Sequence, residues 1–540
     1  METATAPTVS AQEARELRDL EAEGGKDTPK SVPCDLECPQ GGHISFSKVA
    51  VSGLGFLADA YDLFVVNLVM EFIAEEYGDG SSAERQLMSS SILWASIFGQ
   101  LSFGYLADVF GRKVMFVTTV MLITIGALLS AFYFDQIGIS VYVWVPAFRV
   151  VMGIGIGGEY PLSASVSSEC VGPSKKGRML SLVFSAQGVG AILSTMVFLL
   201  CILAGASVGF TWRFALAFGT VPTIIAVGLR LVMEEPQEFA EAKKKQKVKS
   251  GNGNVGEFSA GCWNTLRAYK WPLVGTAGCW FLLDVSFYGN TLFSGEISSV
   301  LGHDPTLRTK TVNSVIIAAL SIPGYLVTVA TINRIRRKTL QLCGFAALAI
   351  VFALLAGLFD ILTSHPAAFL LLYALTFFFS NFGPNATTYI IPGEFYPPRV
   401  KATLHGMSAA SGKLGAAVGA VIFAPFVDQS LGVEKERENV RWIMTACAGV
   451  AALGAVWTFL FIPSYTAASL PALRDSYLEL NTKSSIVCEA SVCHPDLMIA
   501  AEGDAPPVSR GVTEDRGEEE GEVRGTSGNG EIQSTVAVSV

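Results

Sequence analysis

Residues 104–113 read Gly-Tyr-Leu-Ala-Asp-Val-Phe-Gly-Arg-Lys and follow an apolar run that spans about 88–108. A related basic stretch, Asn-Arg-Ile-Arg-Arg-Lys at 333–338, comes at the matching place in the second half of the chain. Two copies of a loop motif, each after the second apolar run of its half, are typical of a transporter built from two parallel repeats. A positive loop alone would indicate only which side of a membrane it faces.

The composition indicates a membrane protein. Hydrophobic residues make up 51% of the 540 residues and charged residues only 16%, whereas a soluble domain carries about a quarter charged residues. The net charge of −9 comes largely from the acidic ends, so it says little about partners, and no basic patch suggests nucleic acid. Cys34 with Cys38 and Cys488 with Cys493 have no histidine cluster beside them. We therefore expect reduced cytosolic tails, no metal and no cofactor.

The spacing of the apolar runs predicts the architecture, because a membrane-spanning helix needs about 20 apolar residues. Twelve segments meet this requirement, at roughly 46–71, 88–108, 114–134, 141–168, 178–204, 212–233, 271–297, 312–332, 340–361, 366–391, 404–427 and 440–462. The sequence thus predicts an all-α membrane protein with twelve transmembrane helices in two six-helix halves. The predicted parts are an N-terminal tail (1–45), an N-terminal half (46–233), a central linker (234–270), a C-terminal half (271–463) and a disordered C-terminal tail (464–540).

The basic loop residues predict the orientation. With both termini in the cytosol, most Lys and Arg residues of the loops lie on the inner side, as the positive-inside rule requires. The last outer loop is also basic and weakens this bias. We expect a multi-pass protein of the plasma membrane whose tails and central linker are cytosolic.

The first predicted helix carries two acids, Asp59 and Asp62, at a spacing that puts both on one face. A charge at the bilayer centre costs at least about 3 kcal/mol, so such residues are candidates for function. Two close carboxylates do not both ionise easily, and we expect one to hold a proton, as a proton carrier must. The alternative is a structural pair in which one acid bridges to a neighbouring helix.

The fourth predicted helix combines glycines with charge. Gly157 and Gly158 allow close backbone contact with another helix, and they precede Glu159 and Tyr160. Arg149 lies three turns earlier and has two interpretations, a functional cation or only an ion-pair partner.

Helix 7 carries Trp280, Asp284 and Tyr288 along one stripe, which offers an indole donor, a carboxylate and a phenol. An aromatic stripe alone would indicate packing between helices. The acid in its centre, Asp284, argues against exposure of this stripe to lipid. Gln187 on helix 5 is either a ligand contact or a polar link between helices.

Helix 10 contains Asn385 directly after a helix-breaking Gly-Pro pair, and irregular backbone at this depth requires protein or a cavity beside it.

On helix 11, Lys413 lies nine residues from the cytosolic end, about 14 Å of helix. That depth falls near the midplane, where repeat transporters bind substrate. One Lys with amide, indole and phenol donors suits an oxyanion, yet a hydroxyl-rich sugar could use the same groups. We predict that Lys413 pairs with Asp59 or Glu159 in the empty protein.

Residues 104–113 resemble the helix 2–3 signature of the major facilitator superfamily. That resemblance implies close helix packing at glycine and a cytoplasmic latch, formed here by Gly104, Asp108, Gly111 and Arg112. The second copy departs from the signature, with Asn333 for the usual Asp and Arg336 for the usual Gly, which puts a symmetrical second latch in doubt.

Four longer motifs, at 157–164, 281–289, 381–388 and 405–413, are very similar to those of the phosphate:proton symporters of plants and fungi. The likeness covers roughly residues 46–464. It implies that phosphate is surrounded by Tyr160, Gln187, Trp280, Asp284, Tyr288 and Asn385. It implies proton coupling and gating by Asp59, Asp62, Glu159, Asp284 and Lys413, to which we add Arg149. The family usually has Asp where this chain has Glu159.

The sequence thus predicts a transporter, not an enzyme, that imports inorganic phosphate with protons by alternating access of two helical bundles. Its expected partners are inorganic phosphate, protons and the lipid bilayer. Two alternatives remain open. One is a porter of the same fold for a sugar or an organic phosphate such as a glycerophosphodiester, and the other is a phosphate sensor that does not transport.

Overall fold

The computed structural model describes residues 42–236, 239–241, 243, 265–292, 306–423, 426, 433–466, 469–474 and 476–477. Twelve long helices follow one another in this part of the chain. They are α1 (Gly42–Tyr77), α2 (Ser82–Phe110), α3 (Arg112–Ala131), α4 (Val141–Glu169), α5 (Pro173–Leu203), α6 (Val208–Val232), α7 (Lys270–Leu292), α8 (Leu307–Thr331), α9 (Arg337–Gly357), α10 (Pro366–Phe395), α11 (Lys401–Phe423) and α12 (Val433–Phe461). Most of the predicted tails, most of the linker and the cysteine pairs of the tails lie outside the described residues. The first part of the tail predicted to be disordered, up to Tyr477, is partly described, and Tyr465 and Leu470 are buried there.

The prediction of a helical membrane protein is confirmed. Among the described residues, eleven helices are long and apolar enough to cross a membrane, and no strand is present. The remaining helix, α7, has 23 residues, enough for about 35 Å, but its polar stripe makes it less apolar. The count of twelve spans is consistent with the structure.

Several helices extend beyond the predicted apolar segments. Helix α2 begins at Ser82, before the predicted residue 88, because Ser81 caps its N-terminus and Glu84 closes a capping box. Helix α11 begins at Lys401 instead of residue 404. Apolar runs mark only the part of a helix that meets lipid, so polar turns at the ends escape a hydrophobicity criterion.

The helices pair in the same way in both halves of the chain. Helix α2 packs on α4 as α8 packs on α10, and α1 packs on α5 as α7 packs on α11. The halves meet through two further pairs, α2 with α11 and α5 with α8, which are equivalent when the halves are exchanged. This pattern is what a parallel repeat would produce.

Glycines set the distances at these crossings. A Cβ atom on Gly157 of α4 would lie 2.8 Å from the backbone nitrogen of Gln100 and 2.9 Å from Cα of Gly99, both on α2. Between the halves, a Cβ on Gly104 would lie 2.7 Å from the carbonyl oxygen of Ala402 on α11. Glycine therefore lets the backbones of α2, α4 and α11 touch.

Helix α10 is interrupted at Gly383, as the Gly-Pro pair predicts. The carbonyls that the break leaves without helical donors are those of Asn381 and Phe382. Both accept hydrogen bonds from the hydroxyl of Thr328 on α8, at 2.9 and 2.7 Å. The irregular backbone is thus satisfied by protein, the condition under which a bilayer tolerates it.

These crossings predict that Gly157→Ala destabilises the protein by about 1–3 kcal/mol, because its methyl group meets backbone that cannot move aside. The matched control is Gly228→Ala on α6, where a Cβ would meet nothing within 4 Å. Thermal unfolding in detergent measures both. Equal unfolding temperatures for the two variants would contradict the proposed close contact.

Candidate functional site

The predicted latch residues come together at one end of the helix bundle. Arg112 pairs with Asp108 at 2.6 Å and with Glu169, at the end of α4, at 3.1 Å. Its guanidinium also donates to the carbonyl of Pro398 in the other half, at 2.8 Å. Asp108 accepts bonds from the backbone nitrogen and hydroxyl of Thr403, at 2.7 and 2.6 Å. The motif of residues 104–113 therefore ties the two halves together on this side.

An equivalent ion pair exists in the second half despite the sequence departure, and we call it the second latch below. Arg337 forms a two-bond pair with Glu394, at 2.9 and 3.0 Å, and the two residues are 57 positions apart, the same separation as Arg112 and Glu169. Asn333, at the place of Asp108, is exposed. The symmetry therefore extends to the ion pair of arginine and glutamate, while the bonds of Asp108 to the other half belong to the first copy.

A buried cation organises the centre of the molecule. The ammonium of Lys413 donates to the hydroxyl of Tyr288 at 2.6 Å and lies 3.5 Å from the carboxylate of Asp284. It also lies 4.9 Å from the centre of the Tyr160 ring, and that ring is 6.1 Å from the ring of Trp280. Four of the six predicted substrate-binding residues therefore surround Lys413, all of them buried.

The expected partner of Lys413 was wrong for this structure, because the ammonium pairs with Asp284 and not with Asp59 or Glu159. The reason is the packing of α11 on α7 within one half. A Cβ on Gly415 would lie 3.0 Å from Cα of Phe281, so the two helices are in backbone contact. This contact holds Lys413 beside the acid of its own half.

The other two predicted binding residues lie in a neighbouring polar group. Asn385 donates to the side-chain carbonyl of Asn381 at 2.8 Å and to the hydroxyl of Tyr325 at 3.4 Å. The side-chain oxygen of Gln187 is buried without a hydrogen-bond partner among the described residues. Sequence reasoning missed Tyr325, which has no charge to mark it, and left Asn381 out although it lies in the quoted motif.

A cleft adjoins this polar group on the side of the central cation away from the latches. Its empty volume, open solvent included, is about 630 Å³, and it is lined by α1 and α5 of one half and α7, α8 and α10 of the other. Asn381 and Tyr325 line it, as does Gly188, the neighbour of Gln187. Phe64 and Phe287, with ring centres 6.4 Å apart, lie between the cleft and Tyr288.

Glu159 is held in an ion pair that the sequence analysis did not find. Both of its oxygens accept from the guanidinium of Arg230 on α6, one of them at 2.8 Å, and the hydroxyl of Thr119 donates at 3.2 Å. Arg230 also bonds the carbonyl of Phe116 at 2.9 Å and stacks over its ring at 3.6 Å. A charged residue inside the predicted run 212–233 was the signal that could have found Arg230.

The two acids of α1 differ in their surroundings. Both oxygens of Asp59 are buried and have no hydrogen-bond partner among the described residues. The charged groups around Asp59 are Glu159, Arg230, Asp62 and Lys413. Asp62 lies beside Arg149, which donates to its backbone carbonyl at 3.1 Å. One carboxylate oxygen of Asp62 is likewise buried without a hydrogen-bond partner among the described residues, so the two acids differ in the arginine beside Asp62.

The chain matches known transporters along most of its length. Residues 48–474 match the family described as sugar (and other) transporter. A relative in Arabidopsis thaliana, named probable inorganic phosphate transporter 1-6, is 34% identical over 81% of this chain and 95% of its own. A relative in Neurospora crassa, named repressible high-affinity phosphate permease, is 31% identical over 79% of this chain and 86% of its own. These matches confirm the resemblance to plant and fungal phosphate transporters.

Solved structures share the fold. The proton:xylose symporter XylE, of the major facilitator superfamily, bound to a bromodeoxyglucose, superposes with a TM-score of 0.67 at 19% identity. That match covers 79% of this chain and 98% of XylE. A partially occluded inward-open form of XylE from E. coli gives a TM-score of 0.61. At this identity the likeness concerns the fold alone.

The ion pair of Glu159 and Arg230 yields a stability prediction. Arg230→Gln leaves a buried carboxylate unpaired and should destabilise the protein by about 3–5 kcal/mol. Adding Glu159→Gln should restore part of this loss, because no unpaired charge remains. Thermal unfolding in detergent measures both variants.

The control for this prediction is Arg213→Gln with Glu76→Gln, a pair between α6 and α1 whose side chains are 25% and 30% exposed. Surface pairs contribute little, so these variants should unfold near the wild-type temperature. A double variant at 159 and 230 that is less stable than Arg230→Gln alone would contradict the buried pairing.

Proposed function

We propose that this chain, which belongs to the sugar (and other) transporter family, carries inorganic phosphate across a membrane in symport with protons. The observation that carries the proposal is Lys413, buried between Asp284 and two tyrosines in the centre of the fold. Relatives named as inorganic phosphate transporters, at 31–34% identity, support the choice of substrate.

The central site suits phosphate for chemical reasons. The monoanion brings one negative charge, which Lys413 can neutralise, and oxygens that accept bonds from Trp280 and Tyr288. It also carries two hydroxyl groups that must donate, and Asp284 is the acceptor available to them. A phosphodiester has no such hydroxyl to satisfy Asp284, and a sugar gives no use to a buried cation. Both alternatives are therefore less well matched.

The charges around the site support coupling to protons. Four buried acids, Asp59, Asp62, Glu159 and Asp284, face three buried cations, Arg149, Arg230 and Lys413. Both oxygens of Asp59 and one oxygen of Asp62 are buried without a hydrogen-bond partner in the described part of the chain, but Asp62 has Arg149 beside it. One proton on Asp59 makes the set neutral, and a buried charge without a partner is costly. Asp59 is therefore our candidate for the proton carrier.

Alternating access would use the two latches and the cleft. Both latches are closed on one side, while the cleft lies between the halves on the other. Rocking of the halves, residues 46–233 and 271–463, would break the latches and close the cleft. With the termini in the cytosol of a plasma-membrane protein, the cleft faces outward and the cycle imports phosphate.

The test is phosphate uptake in cells that lack their own phosphate transporters, with and without an inward proton gradient. We expect uptake that rises with the gradient and is not inhibited by sugar or glycerophosphodiester. Uptake that ignores the gradient would remove proton coupling, and inhibition by either competitor would favour that compound as substrate. No uptake by protein shown to reach the cell surface would favour a sensor.

A second prediction concerns Asp284. Asp284→Asn should still bind phosphate, because Lys413 and the phenols remain, but it should lose at least about tenfold in accumulation driven by a proton gradient. Uptake into proteoliposomes measures this loss. Asp360→Asn, which removes the exposed partner of Arg441, is the control and should accumulate like the wild type. Normal accumulation by Asp284→Asn would remove Asp284 from the coupling scheme.

A further inference from the structure

We propose that Arg230 is the positioning residue that stabilises Asp59 when Asp59 loses its proton, so that one guanidinium serves two carboxylates. This inference rests on the proposed function, since it concerns the proton step of that transport. It assigns to α6 a part in coupling that the sequence motifs place on α1, α4, α7 and α11.

The guanidinium of Arg230 is held in place but has one donor to spare. Its two terminal nitrogens bond Glu159, and one of them also bonds the carbonyl of Phe116. Its Nε is buried and has no hydrogen-bond partner among the described residues. An N–H group in that position is costly unless some state of the protein satisfies it.

Asp59 lacks hydrogen-bond donors, as Arg230 Nε lacks an acceptor. Both carboxylate oxygens of Asp59 are buried, and neither receives a hydrogen bond in the part of the chain described. Two cations are near it, Lys413 and Arg230. Lys413 directs two of its three N–H groups to Tyr288 and Asp284 of its own half. Arg230 lies in the same half as Asp59 and has a buried Nε without a partner among the described residues, so we take it as the cation that serves Asp59.

The helix that carries Asp59 touches the ion pair one turn away. A Cβ on Gly55 would lie 3.2 Å from the carboxyl carbon of Glu159, and it would also collide with a terminal nitrogen of Arg230. Residues four apart share a helix face, so Asp59 follows Gly55 along the face that meets the pair. The pair of Glu159 and Arg230 thus lies against α1 one turn before Asp59.

The arrangement gives opposite consequences for two substitutions. Loss of Arg230 alone leaves ionised Asp59 without this cation and beside a Glu159 carboxylate that has lost its ion pair, so Asp59 should release its proton only at higher pH. Loss of the Glu159 charge alone frees Arg230 for Asp59, so Asp59 should release its proton at lower pH. Asp62 and Lys413, which also face Asp59, are unchanged in both variants.

The experiment is phosphate counterflow in proteoliposomes with equal pH on both sides, measured across pH. We expect the profile of Glu159→Gln to move down by about one pH unit and that of Arg230→Gln to move up by about one unit, relative to wild type. The matched controls are Glu76→Gln and Arg213→Gln, which neutralise one member each of a partly exposed ion pair between α1 and α6, and their profiles should coincide with the wild type.

Shifts in the same direction for both test variants, or no shift in either, would overturn the role of Arg230. Arg230→Lys gives an independent check, because it keeps the positive charge. A lysine ammonium lacks the planar set of N–H donors with which a guanidinium can bond two carboxylates. It should also move the profile up, and an unmoved profile counts against the proposal. Absence of phosphate counterflow in the wild type would instead refute the proposed function.

Discussion

A charge inside a membrane needs a partner or a proton, and this constraint explains most of the structure. Each buried arginine or lysine of the centre and of the latches lies beside an acid or a carbonyl among the described residues. The partners come from different helices, so the charges also fix which helices pack together. Among the described residues, neither oxygen of Asp59 nor Oδ2 of Asp62 receives a hydrogen bond, and a buried acid in that position favours a bound proton over a charge.

The two halves use this constraint differently at the centre and at the edge. At the latches the halves are equivalent, each with an arginine at the start of a helix and a glutamate 57 residues later. At the centre they are not, because Glu159, Arg230 and Asp59 belong to one half and Lys413 with Asp284 to the other. The repeat is therefore kept at the ion pairs of the edge, while at the centre the halves have diverged, with the pair of Glu159 and Arg230 in one half and the pair of Lys413 and Asp284 in the other.

Sequence predicted the fold and most site residues because both leave marks in composition. Twelve apolar runs gave the spans, and acids such as Asp284 within those runs marked the site. Pairing was harder, since nothing in a single sequence says that Lys413 meets Asp284 or that Arg230 reaches Glu159. Glu394 was missed because the end of a helix is an ordinary place for an acid. Tyr325 and Thr328 were missed because neutral hydrogen-bonding groups within a span are common and carry no cost that marks them.

The cleft between the halves has a consequence for how an anion arrives. None of its fifteen described lining residues carries a charge, and the ion pair of Glu71 with Lys310 lies beyond it with both signs present. The described lining therefore adds no field of one sign that could draw an anion from a distance. An anion that enters the cleft would meet neutral donors along this lining. Salt at 0.1 M screens charges within about 10 Å, but the described lining supplies no charge whose attraction it could weaken.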